Sequence, residues 1–530
     1  MVAINTLRPN PRVELGWVNF HKVTPMARAY ASGFGGAVAS EEPLASYTGA
    51  RILEAGGNAV DASIAVSFTL STLTPHLGGV GGDFFALIVT PDGRVEALNG
   101  SGQAPRELTL ELLEGRGFRM VPERGPLSIV VPGMVGALYE MWRRYGTMEW
   151  SKLLEIPIRL AREGFPAPPS LVNAVKLYSR VLSLDEGSRL TYLNPPPELW
   201  KPYRFEGLAR LLEEVALDPR SMYEGVIAEA VAGYVWGRGG LLEVEDMKSY
   251  RPEWVKPLKA QYRGWTLYEI PPNSQGVTTL HILKLLEERG VAGGPRGIGR
   301  FKSIAEIAIP CYRWRDLNLG DPRYMRVSFE ELLSPRVLGE IKSISSTPPR
   351  SGGLGSHGDT TFYAVADRDG MVVAGIQSLF HPFGSAVTEP RFQVTLNNRA
   401  IGFTTERGLP NTLGPSKKPL HTLSALVMVD ERNGRVVAVG ASGGHYRPQL
   451  HAIFATNIVD YSMDLEEAIN SPRAAWDWST GRMVAEKGVE GLVGEHLVER
   501  LGVANAVEVW GRVRGAATDL RGDGAPIALP

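Results

Sequence analysis

The chain has 530 residues, 44% hydrophobic and 21% charged, which is the composition of a globular protein and not of a disordered one. Lys+Arg at 56 against Asp+Glu at 57 leaves a formal net charge of -1, and no long block of either sign points to nucleic acid or a membrane surface. A single cysteine excludes an internal disulfide, and nine scattered histidines without His-Glu-x-x-His or a cysteine pair argue against a metal enzyme.

Met1 to Arg28 mixes polar and apolar residues and has no apolar core of the signal-peptide type. The longest apolar run, Ile64 to Leu73, contains Ser and Thr and falls far short of the roughly 20 residues a bilayer needs. A soluble, cytoplasmic protein is therefore expected. Gly35 to Pro75 is the strongest helical passage, with Ser40 as N-cap and Pro43 in the first turn. Gly56-Gly57 ends the first helix, and Asn58 or Asp61 opens a second that is apolar nearly all round and so should be buried. The loop Gly78-Gly79-Val80-Gly81-Gly82 follows, then a strand from Phe84 to Thr90. Its order of helix, loop and strand reverses that of a phosphate-binding loop, so close backbone packing is the better reading.

Helices are expected from Met134 to Tyr145, Ser151 to Glu163, Val277 to Glu288 and Ile304 to Leu317, with helical patches from Glu330 to Ile344. Ala167 to Tyr250 reads as an irregular helical cover. Arg263 to Ile270 is a strand halted by Pro271-Pro272. Cys311, in an Ile-Pro-Cys-Tyr setting, suggests a buried thiol. Ser345 to Gly358 holds four Ser, four Gly and two Pro, which is linker composition.

That linker runs into Asp359-Thr360-Thr361-Phe362-Tyr363-Ala364-Val365-Ala366. Thr361, Tyr363 and Val365 would face one way, and Phe362, Ala364 and Ala366 the other. A turn at Asp367 to Gly370 leads to a returning strand from Met371 to Ser378. Locally this is an ordinary hairpin. Thr360 adds chemistry to it. If the chain were cut before Thr360, that residue would carry a hydroxyl and a free α-amine whose pKa, about 7.7–8.0, suits it to act as base for its own hydroxyl. Further on, Leu423 to Val429 and Arg435 to Val439 form a second hairpin, and Gly440 to Gly444 is a tight small-residue loop before a helix from Arg447 to Tyr461. Another helix starts at Leu465. Glycines just ahead of a helix aim backbone N–H groups outward, which suits an oxyanion as well as it suits a plain turn.

Several ordered motifs carry a resemblance. They are Val38-Ala39-Ser40-Glu41-Glu42-Pro43-Leu44-Ala45, Gly56-Gly57-Asn58-Ala59-Val60-Asp61-Ala62, the loop Gly78 to Gly82, and Val131-Pro132-Gly133. Glu245-Asp246-Met247, Pro271-Pro272-Asn273-Ser274-Gln275-Gly276, Gly320-Asp321-Pro322, Asp359-Thr360-Thr361 and Lys418-Pro419-Leu420 continue it. Together they resemble the γ-glutamyltransferase (γ-glutamyltranspeptidase) family of N-terminal nucleophile hydrolases. The resemblance implies an α+β fold, a four-layer αββα sandwich. It implies self-cleavage between Asp359 and Thr360 into a large subunit, 1–359, and a small one, 360–530, and the two-subunit unit could assemble further into a homo-oligomer. Thr360 would be the nucleophile and Thr361 a hydrogen-bonding orienter. Ser378 would stand where the family has a threonine that contacts the free amine, and Gly443-Gly444 would supply the oxyanion hole. No cofactor or metal is implied.

Departures from the family pattern concern specificity. The loop Asn99-Gly100-Ser101-Gly102-Gln103-Ala104-Pro105 has Ser101 where γ-glutamyl enzymes hold the substrate α-carboxylate with arginine. Asn397-Asn398-Arg399-Ala400-Ile401-Gly402 lacks the acid that holds the α-amine, His421-Thr422 replaces paired serines, and Phe380 replaces an asparagine. Losing two charged anchors, each worth roughly 1.5–3 kcal/mol, points toward the amide-hydrolase and acylase branches. Arg399 could hold an acidic acyl group or be a surface arginine; His421 could bond substrate or merely pack. The expected function is a self-processed amide hydrolase acting on a small-molecule amide. The alternatives are a true γ-glutamyl hydrolase or transferase on glutathione-like compounds, and a non-catalytic family member.

Overall fold

The computed structural model describes residues 29–346, 360–492 and 496–530, together with the backbone of Asp359. The stretch Met1 to Arg28 and most of the linker before Asp359, read above from sequence, lie outside the described residues.

Helix and strand are mixed throughout the chain, and two seven-stranded sheets organise it. The first runs from edge to edge through Ala525–Leu529, Gly36–Ser40, Asp359–Asp367, Val372–Phe380, Asp83–Val89, Val95–Gly100 and Glu253–Val255. The second runs through Tyr30–Gly33, Val513–Thr518, Ala504–Trp510, Val436–Ala441, Leu426–Asp430, Trp265–Glu269 and Leu258–Tyr262. Every neighbouring pair in both is antiparallel.

Alternation along the strands decides what each face meets. Phe85, Phe362, Ala364 and Ile376 of the first sheet share one apolar cluster with Val427, Ala438 and Val507 of the second, so the two sheets pack on each other. Phe84, Tyr363, Val365 and Val373 point the other way, into a cluster with Ile64, Phe68, Leu138 and Met141 from the helices Ala59–Leu73 and Met134–Tyr145. On the far side Leu267, Met428 and Val437 pack with Leu280, Ile304 and Phe454 from the helices Gly276–Arg289, Ile298–Asn318 and Arg447–Val459.

Local signals explain most of the elements and correct some expectations. Gly36–Ser40 is a buried strand and not the start of a helix. It is short and buried on both faces, so its sequence shows no alternation. The following helix, Pro43–Glu54, is capped by the Glu42 carboxylate, which accepts from the N–H groups of Leu44 (2.7 Å) and Ala45 (3.2 Å). Ser40 instead bonds Glu42 O and Ser46 Oγ. The Ala59–Leu73 helix opens with a capping box between Asn58 and Asp61 and is buried along its whole length. Helix Ile298–Asn318 starts six residues earlier than Ile304, and Cys311 within it is fully buried. Of the helical patches expected from Glu330 to Ile344, one helix forms, Pro335–Ser343.

Candidate active site

Strand Asp359–Asp367 is central in the first sheet, and its register against Val372–Phe380 shifts between Asp359 and Thr361. Thr360 sits at that irregularity and is 1% exposed. Its hydroxyl donates to Ser378 Oγ at 3.3 Å, and Ser378 Oγ accepts the Phe380 N–H at 2.7 Å. Phe380 has φ +86°, so the backbone turns sharply just past Ser378. Thr361 is buried beside it, and its Oγ1 has no hydrogen-bond partner among the described residues.

The glycine loop 78–82 lies against this pair. A Cβ on Gly82 would stand 2.4 Å from Ser378 O, one on Gly81 2.2 Å from Thr395 O, and one on Gly78 2.9 Å from Thr361 Cγ2. At Gly81 and Gly82 backbone meets backbone, and at Gly78 backbone meets the Gln377 and Thr361 side chains, which is the close packing read from sequence.

Across the next strand Ser378 is paired with Asp83. Asp83 is fully buried; its Oδ1 accepts the Gly102 N–H at 2.8 Å and its Oδ2 accepts Arg399 Nε at 3.1 Å. Arg399 is fully buried as well, which overturns the surface alternative. Its guanidinium lies over the Phe380 ring, 4.4 Å from the centroid. Nη1 and Nη2 make no bond among the described residues. Burial pushes the Asp83 carboxyl up, against the pull of the Arg399 cation, and the same burial pushes Arg399 down.

Ser101 and His421 meet beside this ion pair. Ser101 Oγ lies 2.9 Å from His421 Nε2, donates to Gly102 O at 3.0 Å and accepts Asn273 Nδ2 at 3.0 Å. Since the hydroxyl proton goes to Gly102 O, His421 Nε2 is the donor in their contact. Burial first, and then the cations of Arg399, Lys418 and Arg447, hold His421 well below its ordinary pKa, so it is neutral. Its ring also packs 4.9 Å from that of Phe85. Of the two uses foreseen for His421, bonding substrate or packing, the ring packs on Phe85, and its Nε2 is committed to Ser101. Gly402 ends the short 3-10 turn Arg399–Gly402 and offers no carboxylate.

Gly443 (φ +119°) and Gly444 (φ +52°) occupy left-handed backbone between strand Val436–Ala441 and helix Arg447–Val459. Gly440, at the end of that strand, is pressed on Phe362, two residues after Thr360: a Cβ there would be 2.5 Å from the ring. Gln275 ties the loop to Thr422, its Nε2 donating to Gly444 O (3.1 Å) and to Thr422 O (3.0 Å). Arg315 Nη1 donates to Gln275 Oε1 at 2.7 Å, and Arg447 donates to Thr422 O and Ala441 O. Ser442 is held by Val503 through two hydrogen bonds. Thr422 Oγ1 is buried without a partner among the described residues.

Sequence reasoning gave no role to Asp83 or Gln275, which join these pieces. The available signal for Asp83 was a carboxylate opening the otherwise apolar run Phe84-Phe85-Ala86-Leu87-Ile88-Val89.

The gamma-glutamyltranspeptidase family model matches residues 45–528. The glutathione hydrolase-like YwrD proenzyme of Bacillus subtilis (strain 168) is 33% identical over 523 residues, covering 93% of this chain and 98% of that one. The oxamate amidohydrolase proenzyme of Klebsiella pneumoniae subsp. pneumoniae is 31% identical over 451 residues, covering 83% and 84%. The crystal structure of cephalosporin acylase from Bacillus halodurans superposes with a TM-score of 0.88 at 30% identity, covering 99% of this chain and 100% of that one.

Proposed function

The chain belongs to the gamma-glutamyltranspeptidase family, as an N-terminal nucleophile amidohydrolase or acyltransferase of its acylase-like branch, and on that premise we propose that it cuts itself between Asp359 and Thr360 and then hydrolyses amide bonds with Thr360. The two pieces, 1–359 and 360–530, would stay together as a four-layer αββα sandwich. The packing of two sheets on each other, with helices on both outer faces, supports that arrangement.

The α-amine released on Thr360 takes the proton of its own hydroxyl as Oγ1 attacks the amide carbonyl. The C–N bond breaks, the leaving amine departs with that proton, and an ester to Thr360 remains. Water then cleaves the ester and releases the acid. Ser378, 3.3 Å from Oγ1, orients the nucleophile, with Thr361 beside it. The N–H groups of Gly443 and Gly444 would stabilise the oxyanion, each such donor being worth about 3 kcal/mol. Ser101, Arg399, His421 and Thr422 would line the acyl side.

The observation that carries this reading is the buried Thr360 hydroxyl, set at a strand irregularity against Ser378, immediately after the peptide bond that would be cut. A γ-glutamyl hydrolase or transferase is the second reading, drawn from the relative named glutathione hydrolase-like. Against it, Ser101 is spent on Gly102, Asn273 and His421, and Gly402 brings no acid.

Intact mass and N-terminal sequencing of wild type and Thr360→Ala test the proposal. Wild type should yield two pieces, the smaller beginning Thr360-Thr361. Thr360→Ala should remain one chain of 57.7 kDa and turn over no amide. An active Thr360→Ala protein would remove Thr360 from the mechanism.

A further inference from the structure

His445 follows directly on Gly444, in the short 3-10 turn Gly444–Tyr446. It is 6% exposed, and its backbone is held on both sides: Gln275 Nε2 donates to Gly444 O, and the Tyr312 hydroxyl donates to His445 O. The ring is oriented by Arg315, whose Nη1 stands 3.4 Å from Nδ1. A guanidinium can only donate, so Nδ1 is the acceptor and carries no proton. Burial first, and then the cations of Arg315 and Arg447, hold His445 well below its ordinary pKa, so the ring is neutral. A neutral ring with a bare Nδ1 carries its one proton on Nε2.

Nε2 is buried and has no partner among the described residues. Arg315 belongs to the outer helix Ile298–Asn318, and the two ring nitrogens face different ways, so the Nε2–H turns away from that helix. Thr422 Oγ1, on the residue that Gln275 ties to Gly444, is buried and open as well. Buried donors in native proteins are almost always satisfied, so an open N–H one residue past the paired glycines marks a place for an acceptor that arrives with the substrate. The charged groups that act on His445, namely Arg315, Arg447, His381 and Arg399, include no carboxylate, which suits an acceptor that gains negative charge.

Resting on the nucleophile reading above, we propose that His445 is a further catalytic residue: its Nε2–H donates to the oxygen of the scissile carbonyl, as a third donor beside the N–H groups of Gly443 and Gly444. When Thr360 Oγ1 bonds to the carbonyl carbon, the π pair moves onto that oxygen, and the Nε2–H hydrogen bond strengthens with no proton transferred. The pair returns to the C–O bond as the C–N bond breaks. The neutral ring acts as a donor alone, and proton handling stays with the Thr360 amine.

His445→Leu removes the donor, and His445→Gln supplies one from its amide. Both should still be cut into two pieces by intact mass. On whichever of the butyryl, glutaryl and γ-glutamyl 4-nitroanilides wild type uses best, leucine should lower kcat roughly 100-fold with little change in KM, and glutamine should recover about tenfold of it. A cut leucine protein with wild-type kcat, a loss confined to KM, or a glutamine protein no faster than the leucine one would overturn the proposal. Wild type gives a second reading that needs no variant to fold. In nitrogen-15 NMR of histidine-labelled protein, His445 should carry its proton on Nε2, and the tetrahedral adduct of n-butylboronic acid with Thr360 should move that signal. A proton on Nδ1, or an Nε2–H signal that the adduct leaves unmoved, would refute the assignment. A wild type that is never cut and turns over none of the anilides would sink the nucleophile reading and this proposal with it; a cut, active wild type with an indifferent His445 would sink the proposal alone.

Discussion

Gly82→Ala would test the packing of the glycine loop on the nucleophile pair. The new Cβ would lie 2.4 Å from Ser378 O and 2.9 Å from Ser378 C. That is about 1 Å short of an ordinary contact, and the obstacle is backbone that cannot rotate away. The loop cannot simply retreat, because Gly82 O accepts the N–H groups of Gly133 (2.9 Å) and Met134 (3.0 Å). Either the loop or strand Val372–Phe380 must shift, at a cost of about 1–3 kcal/mol for overpacking. A displacement of that size also carries Ser378 Oγ away from Thr360 Oγ1, now 3.3 Å apart, and a misplacement near 1 Å costs about 100-fold in rate. Urea unfolding and anilide hydrolysis measure the two effects. Gly115→Ala serves as control, since a Cβ there meets nothing within 4 Å, and it should stay within about 1 kcal/mol of wild type. A Gly82→Ala protein as stable and as active as wild type would refute the reasoning.

Two further outcomes follow from buried polar groups. Burial holds His281 down to about 4 from an ordinary 6.5, with Nε2 bonded to Leu332 O at 2.7 Å. The unfolded chain therefore takes up this proton first. The His281 contribution is complete above pH 6.5 and is lost as pH falls toward 4, about 2 kcal/mol of it between pH 7 and 5. His281→Gln should flatten that part of the stability profile in urea unfolding at the two pH values, and an identical slope would count against it. Gln275→Leu removes the bonds to Gly444 O and Thr422 O and leaves Arg315 Nη1 with its 3.4 Å contact to His445 Nδ1 in place of the 2.7 Å bond to Gln275. It should cost roughly 2–4 kcal/mol and lower kcat, measured by unfolding and initial rates; an unaltered kcat would show that Gln275 does not position the Gly443–Gly444 loop.

Much of the local structure was readable from sequence. Asn58 or Asp61 is expected from sequence to open the second helix, and both do, as a capping box; Tyr363/Val365 against Phe362/Ala364 spells a strand with two apolar faces. Pairing between distant strands was not readable. Nothing in Gly36–Ser40 says that it joins Ala525–Leu529 on one side and Asp359–Asp367 on the other, because sheet partners are chosen by packing and not by neighbourhood. At the site, Thr360 announced itself through the chemistry of one residue. Arg399 reads from sequence either as a substrate contact or as a surface arginine; its burial was not legible, since arginine is ordinarily exposed and the Asp83 carboxylate on another strand makes that burial tolerable.

Strands from before and after position 360 lie side by side in both sheets. Asp359–Asp367 and Val372–Phe380 are flanked by Gly36–Ser40 and Asp83–Val89, while Leu426–Asp430 abuts Trp265–Glu269 and Val513–Thr518 abuts Tyr30–Gly33. Scission at the head of one strand would leave every rung of these ladders in place. Two polypeptides so interleaved have no common surface along which to part. Their dissociation and their melting would be a single event, with a midpoint that falls on dilution.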